Sequence, residues 1–84
     1  MSQITYFVAL PIIPTDGGGF AALEGVECSN ASAAQRRAVA LAAQHGGAVA
    51  FSRTGDPALG DFADAVLLGR FGTLPDDLTD LLGE

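Results

Sequence analysis

From Gln3 to Ile13 the residues Ile4, Thr5, Tyr6, Phe7, Val8, Ile12 and Ile13 are β-branched or aromatic and show no helical spacing, which predicts a strand. Pro11 lacks a ladder donor, so an edge or a bulge is expected at that position. The glycines of PTDGGG (14–19) break the run, and Phe20 to Cys28 reads as the hairpin return. The next element has a different period. In SNASAAQRRAVALAAQHGG, Asn30 or Ser32 can cap a helix that runs to His45 and stops at Gly46 or Gly47. Ser32 and Gln35 have capping-box spacing. Ala34, Ala38, Leu41, Ala42 and His45 share one stripe, with Arg36, Arg37, Ala40 and Gln44 mostly opposite. Side chains this small predict close packing of the helix on a sheet.

A third strand is expected over Gly47–Arg53 and a fourth over Asp64–Phe71. The ten residues from Thr54 to Ala63 join them as an exposed, mobile loop. Pro75 in a first turn, followed by Asp76 and Asp77 where acids suit the helix dipole, predicts a short last helix through Leu82. These patterns together predict one α+β domain over residues 1–84. Its sheet is four-stranded and mainly antiparallel, in the order ββαββ, with the main helix on one face and the short helix at the end. Strand parity adds that Ile4, Tyr6, Val8 and Leu10 face one way, and Phe7 and Ala9 the other. By the same rule Val49 and Phe51 oppose Ala48 and Ala50, and Leu67 and Phe71 oppose Val66 and Leu68. Both sheet faces are therefore apolar. One helix about 10 Å wide covers only about two strands at a spacing of ~4.8 Å. Apolar surface is left over, and it predicts a homodimer or another protein as partner.

Composition changes this picture little. An 84-residue chain that is 49% hydrophobic and 17% charged is expected to fold. Its formal charge of −6, from ten acids against four arginines, repels a phosphate backbone, so no nucleic-acid partner is expected. The first apolar run is interrupted at Pro11 and is shorter than the ~20 residues a membrane span requires. With one cysteine and no basic leader before that run, a cytoplasmic protein is expected, with no membrane partner.

Candidate chemistry is thin. Cys28 and His45 lie at opposite ends of a helix about 22 Å long, which disfavours a Cys–His nucleophile, and His45 suits a helix C-terminus. Zinc sites need three or four strong ligands, and Asp56, Asp61 and Asp64 lack the spacing of a calcium loop, so no metal or other cofactor is expected. Glu24 and Glu27 differ by three on the expected second strand and face opposite sides. No enzyme is expected. One stretch, FSRTGDPALGDF (51–62), combines an arginine fork with glycines that free the backbone. Arg53, Thr54, Gly55, Asp56 and Asp61, with Arg70 on the fourth strand, form the candidate ligand-binding set. Turn chemistry at Gly55-Asp56-Pro57 explains the same residues as a hairpin connection.

The stretch YFVALPIIPTDGGGFAALEGVEC with its alanine-rich helix resembles the start of HicB-type antitoxins, where a strand, a D-G-G turn, a second strand and such a helix recur. This resemblance covers residues 4–43. SNASAAQRRA stands where that family has its G-x-T-x-E-E-A helix entry, and no DNA-binding segment follows. It implies an inhibitor that binds a partner protein. The stretch GAVAFSRTGDPALGDFADAVLLGRFGTLPDDL is similar to small alphaproteobacterial proteins of unknown function, a bacterial likeness that carries no catalytic residues. The expectation for function is a small non-catalytic binding or assembly protein acting through protein contacts. The alternatives are a small-ligand or anion binder at residues 53–64 and an antitoxin-like inhibitor.

Overall fold

The computed structural model describes residues 3–75. It is an α+β structure, an antiparallel sheet with one main helix. The elements are β1 (Ile4–Pro14), β2 (Phe20–Ala22), β3 (Val26–Cys28), α1 (Ala31–His45), β4 (Gly47–Asp56), β5 (Asp61–Phe62) and β6 (Val66–Gly72). β1 and β4 form the centre of the sheet; β2 and β3 share the outer side of β1, and β5 and β6 share the outer side of β4. The helix expected from Pro75 through Leu82 lies, from residue 76 on, outside the described residues.

Several expected boundaries shift for local reasons. The return strand is two pieces, because Leu23–Gly25 separates β2 from β3. Pro11 explains the gap. Its carbonyl accepts from Leu23 N at 2.9 Å, so its missing N–H points to the side where the outer strand is broken. The irregularity expected in β1 thus sits in its neighbour, and β1 itself is an interior strand paired with β4 from Ile4↔Gly55 to Ile12↔Gly47.

α1 has the expected span. Asn30 Oδ1 accepts from Ala33 N at 2.8 Å, which satisfies one of the first-turn donors. Gly46 closes the other end at φ 102°, a left-handed conformation, and donates to Ala42 O. The capping box does not form. Gln35 instead donates from Nε2 to Leu68 O at 2.9 Å, joining the helix to β6.

The small-residue stripe works as the sequence suggests. Ala34 and Ala38 of α1 are fully buried against Ala9, Ala48 and Ala50 of the sheet, with Leu41 filling one end and Phe7, Leu68 and Phe71 closing the rim. A second cluster forms on the far face from Leu10, Ile12, Val49 and Phe51, and Phe20, Ala65 and Leu74 pack on it. Burial of each large side chain in these clusters contributes about 1.5–3 kcal/mol.

Parity holds in β1 and β4 and fails in β6. The β4–β6 register slips between Ala50 and Phe51, so Ala50 pairs with Gly69 and Phe51 with Leu67, leaving Leu68 as an extra residue. Phe71 therefore joins Leu68 on the helix side, and Leu67 stays opposite Phe51 on the second face. Expected partners Leu67 and Phe71 are separated by this bulge.

Candidate functional site

Half of the expected ten-residue loop is sheet. Thr54, Gly55 and Asp56 extend β4, Asp61 and Phe62 form β5, and only residues 57–60 connect them. Gly55 and Asp56 are buried and residues 57–63 are exposed, so the expectation of an exposed loop over Thr54–Ala63 is corrected at its start. Asp56 builds the turn. Its Oδ1 accepts from Ala58 N at 3.0 Å, and its carbonyl accepts from Leu59 N and Gly60 N. Gly60 supplies the positive φ of 68° that the return requires. The backbone donors that could cradle an anion are thus engaged by Asp56 itself.

The six candidate residues are not brought together. Arg53 and Gly55 fall on the second sheet face, while Thr54, Asp56 and Asp61 fall on the helix side. Thr54 Oγ1 lies 2.8 Å from Thr5 Oγ1, a cross-strand hydroxyl pair. Arg70 shares the second face with Arg53 but pairs with Val49, four residues along β4, and donates from Nη2 to Pro75 O at 3.1 Å. Cys28 and His45 are held apart by the length of α1, and Cys28 packs into the helix-side cluster. Glu24 lies in the break between β2 and β3, so strand parity does not govern it. Among the described residues no group of three or more His, Cys, Asp or Glu could hold a metal ion.

A different constellation forms on the second face. Across the strands lie the rows Ile4–Gly55–Phe62, Tyr6–Arg53, and Glu27–Val8–Phe51–Leu67. Beyond them come the covered rows containing Leu10, Val49 and Ile12. Phe20 and Leu74 therefore close one half of this face, where the sequence leads one to expect an apolar surface along its whole length. At the other half, Tyr6, Val8, Phe51, Arg53 and Phe62 line an open groove of about 390 Å³. Ile4, Phe62 and Leu67 around it are 43%, 37% and 42% exposed.

Gly55 sets the shape of this groove. A Cβ there would lie 2.4 Å from Phe62 Cδ1, so the missing side chain is what lets the ring fold across the strand. Phe62 then meets Tyr6 with ring centroids 6.0 Å apart and planes tilted by 43°. Arg53 stands between these aromatic rings and Phe51, and its Nε donates to Ala63 O at 3.4 Å. The arrangement offers apolar and aromatic walls with one cation, and no paired acid and base. Only Arg53 and Gly55 of this surface belong to the candidate set. Tyr6 and Phe51 stand in strand-forming runs, where parity was the available signal, whereas Phe62 falls in the expected loop, to which no parity applied.

Comparison with protein-family models, with curated proteins and with solved structures returns no match. Among the described residues no helix is long and apolar enough to cross a membrane.

Proposed function

We propose that this chain is a small non-catalytic binding or assembly protein that acts through protein contacts on the open half of its second sheet face. The observation that carries this reading is the groove of Tyr6, Val8, Phe51 and Phe62 around Arg53, with Ile4 and Leu67 exposed beside it. Tyr, Phe and Arg are enriched at protein interfaces, whereas Asp, Glu and Lys are depleted there. Contiguous apolar surface of this kind marks contact sites. The partner is a second copy, forming a homodimer, or another protein. The antitoxin-like reading is one form of the latter, supported by the strand, turn, strand and alanine-rich helix that occupy residues 4–43. Anion binding at residues 53–64 has less support, since Asp56 engages the turn donors.

Light scattering over a wide concentration range tests the homodimer. The mass is expected to rise from 8.5 kDa toward twice that value. Phe62→Asp is expected to hold it at the lower value with an unchanged far-ultraviolet dichroism spectrum. A wild-type mass fixed at 8.5 kDa at every concentration overturns the homodimer. Association that survives Phe62→Asp overturns the assignment of the surface.

A further inference from the structure

Three backbone donors of the turn after β4 converge on Asp56. Leu59 N and Gly60 N donate to Asp56 O at 3.1 and 2.9 Å, and Ala58 N donates to Asp56 Oδ1 at 3.0 Å. The last bond closes a ring around the Asp56–Pro57 link, so the carboxylate is held over the carbonyl carbon of its own residue. Asp56 is buried, whereas residues 57–60 are exposed, and water reaches the link from the turn side.

Nucleophile, polarised carbonyl and leaving group thus meet at one peptide bond. An oxygen of the carboxylate has only to close a five-membered ring to reach the carbonyl carbon, an attack already ordered by the fold. The two N–H groups on Asp56 O lie within the about 2.7–3.1 Å at which oxyanion-hole donors act. Pro57 matters twice. It has no N–H, which closes the competing route in which the following backbone nitrogen attacks the side-chain carboxyl to form an imide. Its nitrogen also leaves as a secondary amine, which takes up a proton readily.

We propose that the chain cleaves itself between Asp56 and Pro57 in mildly acidic solution. The carboxylate attacks the Asp56 carbonyl carbon, and the oxyanion that forms is held by Leu59 N and Gly60 N. The C–N bond then breaks, Pro57 N takes a proton from solvent, and Asp56 is left as a cyclic anhydride. Water opens the anhydride, restoring the side chain and leaving a new α-carboxylate. One water is consumed, and nothing is oxidised or reduced. The pairing of β6 with β4, from Gly47↔Gly72 to Ser52↔Val66, lies outside the cut. What the cut severs is the tie between β4 and β5, the strand whose Phe62 walls the groove. The proposal does not depend on what that groove binds.

Mass spectrometry of the full chain, incubated over about pH 4–6 where carboxylate and hydronium coexist, tests it. The expected products are residues 1–56 and 57–84, together heavier than the intact chain by one water, formed at a rate independent of protein concentration. Cleavage of the folded chain is expected to outpace that of the chain unfolded in urea at the same pH by about 10²-fold, the effect of one oxyanion-hole donor. Asp56→Asn keeps an acceptor for Ala58 N and removes the nucleophile, and Pro57→Ala restores an ordinary peptide nitrogen. Both are expected to retain the wild-type dichroism spectrum and to lose the cleavage. A folded chain that stays intact, a rate in urea equal to the folded rate, or undiminished cleavage in Asp56→Asn overturns the proposal.

Discussion

Gly55 and Asp56 are adjacent in β4 and do opposite things, because successive residues of a strand face opposite sides. Gly55 makes room for the Phe62 ring on the groove side. In Gly55→Ala the new methyl would meet that ring and also Asp61 O at 2.5 Å, a backbone atom that cannot rotate away. Overpacking of this kind costs about 1–3 kcal/mol, so urea denaturation is expected to show a loss of that size together with a changed Tyr6 emission. Of the three hydrogen bonds that Asp56 accepts in the turn, Asp56→Ala removes the one to its side chain, from Ala58 N, and is expected to cost about 1 kcal/mol. Asp61 is exposed and has no comparable task, and Asp61→Asn is expected to stay within about 0.5 kcal/mol. Equal effects of the two aspartate changes would show that the turn is not held by Asp56. Arg53 was identifiable in the sequence, but for a backbone cradle that the turn uses up; its actual neighbours are aromatic rings on two other strands.

The helix and the sixth strand differ in how far they can be read in advance. α1 is bounded by signals that act within a few residues, an Asn side chain at one end and a glycine able to adopt positive φ at the other. Asn30→Ala removes the bond to Ala33 N. It is expected to cost about 1 kcal/mol and to lower Tm by roughly 4–8 °C in a chain of this size, which calorimetry can check. No change in Tm would mean that packing of the alanine stripe alone holds the first turn. β6 is another matter. Its extra residue at Leu68 depends on Gln35, 33 positions earlier, and on the match with Ala50 and Phe51 of β4. Nothing in VLLGRFG by itself announces a bulge there, and alternation alone puts Phe71 on the wrong face.

For the whole molecule, charge and shape set the conditions of association. The chain carries −6, so two copies repel at long range. The screening length falls from ~30 Å at 0.01 M salt to ~8 Å at 0.15 M. Homodimer formation through the apolar groove is therefore expected to strengthen over that range, as sedimentation or light scattering would show. Weakening by salt would point to attractive charge pairs as the basis of the contact. By itself the sequence determined the α+β class, the helix with a choice of two residues at each end, and which residues of β1 and β4 share a face. Those features follow from capping, propensity and alternation, which act between near neighbours. The tertiary structure decided where β2 and β3 part, where β6 slips, and which half of the second face is closed by Phe20 and Leu74. It also decided that Phe62 lies over Gly55 beside Tyr6. These outcomes depend on contacts between positions far apart in the chain, whose steric fit and hydrogen bonding are settled only when the strands are laid side by side.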